Sequence, residues 1–254
     1  MIPGQCFRMK KTGENTYSLV AGNQYLEVSQ KGSIVDFNCS DTELICFWVP
    51  YFDLDADYSA YIEKVNPRDK YLSAAAAHGS GIRILQQDLW EMIVTFLISQ
   101  QNNISRIRGC IERLCARYGE KRISGNGVEY YGFPGPEMHG RATERGAERA
   151  GTWISRKVYC GKRPAPLYRE KFHWKKSTGC VIHNRAKNEL MKLCGVGEKV
   201  ADCICLFCPA SHGCFFLWIH ISGRFWMSII REDFQTADIT GSEALCSSIF
   251  FIMN

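Results

Sequence analysis

The spacing of apolar residues changes character near residue 80 of this chain. Before it, apolar positions come in short β-like runs, Tyr17–Val20, Tyr25–Val28 and Ser33–Phe37, separated by Gly22-Asn23 and Lys31-Gly32. Runs of that length between turn-forming residues predict a small antiparallel sheet. After it, the period is helical. Trp90, Ile93, Val94, Leu97 and Ile98 form one predicted stripe, and Ile104, Ile107, Ile111 and Leu114 form the next. A second predicted helix pair follows, with Ala186, Leu190 and Leu193 before residues 195–197 and Val200, Ala201, Ile204 and Phe207 after them. From about residue 137 to 181 no period holds, and Gly, Arg, Lys and Trp are scattered without a face.

Two interruptions of the apolar pattern carry the candidate chemistry. The first is Ser99-Gln100-Gln101-Asn102-Asn103, five polar residues between two apolar stripes. A plain helix junction accounts for it; so does a set of amides that enters a gap in another molecule. The second is Gly195-Val196-Gly197. Two glycines let the backbone turn sharply and approach a partner closely. The N–H groups opening the next helix then point outward, where an anion such as phosphate can take them. Lys199 lies in the first turn of that helix. A cation opposes the partial positive charge of a helix N-terminus. The neutral amine is thereby favoured, and a neutral lysine amine is a nucleophile that forms Schiff bases. The simpler alternative is that Lys199 reaches a phosphate or solvent.

Composition narrows the class only a little. With 254 residues and 46% apolar content, the chain is long enough for one large domain or two small ones with a real core. A net charge of +5 permits a nucleic-acid partner without demonstrating one. The 13 cysteines, an odd number with no signal peptide before the first motif, predict reduced thiols in a cytoplasmic setting. The most apolar stretch, Cys203–Ile221, is broken by Pro209, Ser211, His212 and Gly213 and makes a poor membrane span. Cys205, Cys208 and Cys214 have part of an iron–sulfur spacing, but the position of a fourth cysteine holds Glu198. A closed cluster needs all its ligands, so no metal is predicted. Cys203 and Cys205 read as small helix residues that pack in the core.

LCGVGEKVADC, residues 193–203, resembles the hairpin and catalytic lysine of the 8-oxoguanine DNA glycosylases of the helix-hairpin-helix superfamily. Three further stretches agree with it: Gly4-Gln5-Cys6-Phe7-Arg8, Tyr51–Asp55, and residues 81–91 followed by SQQNNISRI. The resemblance covers about residues 4–136 and 183–208. It implies a mainly α fold with a small N-terminal antiparallel β subdomain (α+β). Residues 1–80 would be the β-rich subdomain and 81–208 the helical domain with the hairpin, and 209–254 would be a C-terminal segment. It implies an activity as well: removal of 8-oxoguanine opposite cytosine from double-stranded DNA by a monomer, with lyase cleavage of the strand and no cofactor. A cytoplasmic location is implied, nucleoid-associated in a bacterium. By the match Lys199 is the Schiff-base nucleophile, and Gly4 and Cys203 contact the base, with the Gly4 carbonyl reading N7–H. Gly195, Gly197 and Val200 bind the DNA backbone. Asn102, Asn103 and Arg106 match the family, Arg106 reading the orphaned cytosine. Gln101 stands where the family has the first of three asparagines and would fill the gap left by the flipped base. In the family another strand precedes the first element; here only Met1-Ile2-Pro3 does.

The chain departs from the family in two places, and both departures look like shifts of reading frame. The family's glycine-rich turn is missing around Arg149–Tyr159. Read one nucleotide later, the codon spanning Trp153 and Ile154 must be GGA, glycine. The family's aspartate is missing as well, and Phe216-Leu217-Trp218-Ile219-His220 stands in its region. Read two nucleotides later, Trp218-Ile219 must contain GAT, aspartate. On this reading about residues 137–181 and 209–254 are out of frame, and the chain as written is impaired. The alternative is a catalytically inactive DNA-binding remnant of the family.

Overall fold

A computed structural model of the chain describes residues 5–63, 65–68, 70, 73, 83–135, 180–193 and 195–208. Gly4, Trp218 and nearly all of the two segments suspected of being out of frame lie outside the described residues. Strands β1 (Met9–Lys11), β2 (Thr16–Ala21), β3 (Gln24–Lys31) and β4 (Ile34–Asn38) form an antiparallel meander in that order. The three strands predicted are β2, β3 and β4. Strand β1 is too short to show an alternation. Ala21 pairs with Gln24 and Lys31 with Ile34, so each hairpin closes over two residues. Gly22 at φ +54° and Gly32 at φ +60° supply the positive φ that such tight turns require.

Leu19, Ala21, Leu26 and Val28 are buried on one face of the sheet. They pack on Trp48, Tyr51 and Phe52 of a short helical run made of α1 (Asp41–Glu43), a π-helical turn Leu44–Trp48 and α2 (Val49–Tyr51). Ser40 and Glu43 cap that run reciprocally, each side chain accepting the other's backbone N–H. Helix α3 (Ser59–Ile62) follows.

The helical part is built around α4 (Leu89–Ser99), of whose residues Trp90, Glu91, Met92, Ile93, Val94, Thr95, Leu97 and Ile98 are buried. The single predicted stripe proves to be two faces. Trp90, Val94 and Ile98 pack on Ile107, Cys110, Ile111 and Leu114 of α5 (Ile104–Tyr118). Met92, Ile93 and Leu97 pack on Ala186 and Leu190 of α6 (Cys180–Leu190) and on Ala201 and Ile204 of α7 (Glu198–Leu206). A helix apolar on both sides is buried between its neighbours rather than laid on a surface. One hairpin was not predicted: β5 (Lys121–Ile123) and β6 (Glu129–Tyr131) turn over Ser124-Gly125-Asn126-Gly127-Val128, with Gly127 at φ +77°. Phe133 N–H donates to the Gly22 carbonyl at 2.9 Å, and the Tyr130 hydroxyl donates to the Asn23 carbonyl at 3.0 Å. Those bonds dock the hairpin on the β2–β3 turn.

The same turn is tied to α4 by buried charge. Glu91 accepts the Gly22 N–H at 2.9 Å and faces the Arg8 guanidinium at 3.8 Å. Arg8 in turn donates to the carbonyls of Tyr131 and of Gly22. Burial raises the Glu91 carboxyl above its ordinary pKa, against the opposing pull of Arg8. The folded chain therefore binds that proton more tightly than the unfolded chain. The group's contribution to stability falls as pH rises from the ordinary carboxylate range through the raised value. Arg8→Ala should cost roughly 3–5 kcal/mol at neutral pH, the range for breaking a buried pair. The loss should shrink as acid neutralises Glu91. Denaturant unfolding of both proteins across pH checks this; a loss that does not depend on pH would contradict it.

Candidate functional site

The hairpin between α6 and α7 is shaped by its glycines in different ways. Gly195 has φ +88°, a conformation that favours glycine, and a Cβ there would come within 3.3 Å of Leu97 Cδ2. The turn thus lies directly against the last turn of α4. Gly197 has an ordinary extended backbone, φ −87° and ψ 177°, and is the N-cap of α7. A Cβ there would meet nothing within 4 Å. Glycine at this point leaves open ground and supplies no side-chain cap, so no side-chain oxygen takes up the first-turn N–H groups. The first intrahelical bond runs from Ala201 N–H to the Gly197 carbonyl at 2.9 Å. Val200 is only partly buried and packs at the edge of the core.

Lys199 is exposed in this first turn, and Cys203 lies one turn on, partly buried. Burial, with a smaller push from Asp202, drives the Cys203 thiol up to about 12 against the pull of Lys199. It therefore stays protonated at neutral pH and acts as a small neutral surface rather than as a nucleophile. The hairpin is also braced by charge. Lys187 of α6 contacts Glu198 at 2.8 Å and Asp202 at 2.9 Å, both on α7. Burial works against the Lys187 ammonium, yet its hydrogen bonds to Glu198 and Asp202 hold its pKa above the ordinary value. The brace satisfies two of the acidic groups beside Lys199 and fixes the angle between the two helices. Cys205 and Cys208 are buried in the core against α4, while Cys214 lies outside the described residues.

The polar break after α4 meets this hairpin. Gln100 Nε2 donates to the Gly195 carbonyl at 2.9 Å, across 95 residues of chain. Gln101 follows at φ +51°, a left-handed conformation uncommon outside glycine, and is exposed. The two asparagines have structural tasks. Asn102 Nδ2 donates to the Ile98 carbonyl at 3.2 Å, and its Oδ1 accepts the Asn103 N–H at 3.0 Å, closing the end of α4. Asn103 is the N-cap of α5 and accepts the Arg106 N–H at 2.9 Å. The Arg106 side chain is exposed one turn into α5. Asn102 and Asn103 thus serve the helix junction, and Gln101 and Arg106 are exposed. Gln100 lies in the polar run but was not among the predicted site residues, because its bond joins distant segments.

Three comparisons bear on this arrangement. The model of the 8-oxoguanine DNA glycosylase N-terminal domain matches residues 1–93. An N-glycosylase/DNA lyase of Saccharomyces cerevisiae is 29% identical over 242 residues, covering 89% of this chain and 61% of the relative. One of Arabidopsis thaliana is 26% identical over 94% of this chain and 66% of the relative. The chain thus spans just under two thirds of the length of these curated relatives. The crystal structure of Clostridium acetobutylicum 8-oxoguanine glycosylase/lyase with double-stranded DNA superposes with a TM-score of 0.75 at 26% identity, covering 98% of this chain and 88% of that one. An Archaeoglobus fulgidus 3-methyladenine DNA glycosylase, at 15% identity and a TM-score of 0.61, shares the fold alone. With its antiparallel N-terminal sheet, glycine hairpin and enclosing helices, this chain is similar to the 8-oxoguanine DNA glycosylases over most of its length and has the helix-hairpin-helix glycosylase fold.

Proposed function

We propose that this chain is a DNA glycosylase and lyase for 8-oxoguanine paired with cytosine, impaired by the state of its reading frame. The observation that carries the reading is the junction of the polar break with the glycine hairpin. Gln100 bonds to Gly195, which ties the polar break to the hairpin, and Gln101, Arg106 and Lys199 are each exposed. Its relatives are N-glycosylase/DNA lyases, and the Clostridium enzyme was crystallised on DNA with cytosine opposite 8-oxoguanine.

In this reading the backbone N–H groups around Gly195, Gly197 and Val200 hold a DNA phosphate. The damaged nucleotide leaves the stack, since its sugar cannot be attacked inside the duplex. Gln101 takes the vacated place, and its left-handed backbone carries the side chain clear of α4. Arg106 reads the orphaned cytosine, and Gly4 and the neutral Cys203 thiol contact the damaged base. The Lys199 amine attacks the sugar C1′ and expels the base. The C1′–O4′ bond then opens to give a Schiff base, loss of the C2′ proton expels the 3′ phosphate, and water hydrolyses the imine to release the lysine. This route draws on no metal or organic cofactor. A monomer suffices for it, wherever the cell keeps its DNA.

Arg106 and the reading frames each give a test. Arg106→Ala should weaken discrimination of the opposite cytosine by roughly 1–3 kcal/mol, the range for a bidentate base contact. Binding measured against all four opposite bases checks it, and an unchanged preference would contradict the role. The chain as written should release little 8-oxoguanine. Tryptophan at 218 can neither carry negative charge nor accept a proton, and loss of one acid–base group costs on the order of 10²–10⁴ in rate. Trp218→Asp alone should recover little, and restoring both frames should recover excision. Full activity of the chain as written would overturn the frameshift reading, as would coding DNA whose codons forbid the alternative frames.

A further inference from the structure

Among the described residues, few polar side chains are buried, and two of them, Gln5 and Gln87, meet. Gln87 makes two bonds in different directions. Its backbone N–H donates to the Phe207 carbonyl at 2.7 Å, at the C-terminal cap of α7. Its side-chain Nε2 donates to the Gln5 carbonyl at 2.8 Å. Gln5 reciprocates along the same stretch of chain: its Nε2 donates to the Arg83 carbonyl and its Oε1 accepts the Leu85 N–H, both at 2.9 Å. The Gln5 side chain thus fills the place of a strand partner for residues 83–85. Gln86 N–H completes the seam by donating to the Tyr51 carbonyl at 2.8 Å. One residue, five per cent exposed, therefore ties the first described residue of the N-terminal subdomain to the end of the helix that bears Lys199 and Cys203.

We infer that Gln87 is a positioning residue for base recognition, holding the N-terminal peptide at a fixed distance from α7. The inference rests on the proposed function, in which the residue just before Gln5 reads the damaged base. A carbonyl can distinguish N7–H from a bare N7 only if it is held within hydrogen-bond range of that atom. A buried carbonyl that loses its donor has no water to replace it. The peptide would then shift to find a partner, and the neighbouring carbonyl would move with it. The backbone bond to Phe207 does not depend on the side chain, so α7 and its lysine should keep their place.

The test is a ratio of affinities on the full chain. Equilibrium binding is measured to three duplexes carrying 8-oxoguanine, guanine or a tetrahydrofuran abasic analogue opposite cytosine. Gln87→Met keeps the side-chain volume and removes the donor. It should lower the preference for 8-oxoguanine over guanine by roughly 5-fold or more, the effect of one lost hydrogen bond, while affinity for the abasic duplex, which has no base to read, changes little. An unchanged 8-oxoguanine preference in the folded variant would overturn the inference, and so would a parallel loss on all three duplexes, which marks a general weakening of the scaffold. If Gln87→Met does not fold, Gln87→Asn, which keeps the amide but withdraws it from Gln5, is read in the same way. No preference for 8-oxoguanine in the chain as written or in its frame-restored form would sink the proposed function and this inference together. A preference retained by the variant sinks the inference alone.

Discussion

Helix α4 has to be enclosed, and most of the described structure follows from enclosing it. An eleven-residue helix with apolar groups on both faces cannot lie on a surface. Each large side chain it buries contributes about 1.5–3 kcal/mol relative to exposure, so two neighbours are recruited, α5 on one side and the α6–α7 pair on the other. The glycine hairpin lies between the second pair, and Gly195 can touch Leu97 because it has no side chain. The candidate site is thus a by-product of core packing: the hairpin is where it is because α6 and α7 must cover Met92, Ile93 and Leu97. The two ends of α4 then carry the polar work. Gln87 precedes its N-cap, Asp88, and Gln100 is its C-cap. Each reaches a distant carbonyl, that of Gln5 and that of Gly195.

Electrostatics sharpens this frame rather than building it. The Arg8–Glu91 pair fixes the sheet's β2–β3 turn to α4, and Lys187 fixes α6 to α7 through Glu198 and Asp202. The first is buried and sensitive to loss of a partner. The second engages the acidic groups nearest Lys199, so the charge beside the amine is held in a set geometry.

What was legible in the sequence is what depends on neighbours along the chain. Turns at Gly22 and Gly32 and the break at Gly195 could be read because glycine's use of positive φ is local. Stripes at helical spacing located α4, α5, α6 and α7. The hairpin β5–β6 escaped, although Ser124-Gly125-Asn126-Gly127 is a turn signal, because its strands are three residues long. The division of labour within the polar break could not be read either. Which amides cap helix ends and which project is decided by the left-handed Gln101 and by the exit angle of α4. Gln5 and Gln87 sit 82 residues apart, and no spacing rule reaches that far. The resemblance pointed to Lys199, but its exposure and its braced surroundings could not be read from the sequence.

The central claim is that Lys199, and no other amine, forms the covalent link to DNA. The direct measurement is peptide mapping of the adduct formed when the protein, or its frame-restored form if the chain as written is inert, is reduced with borohydride on 8-oxoguanine duplex DNA. The account predicts a single modified peptide with the sugar remnant on Lys199, and no adduct from Lys199→Gln. A remnant on any other lysine, or equal trapping by Lys199→Gln, would contradict it.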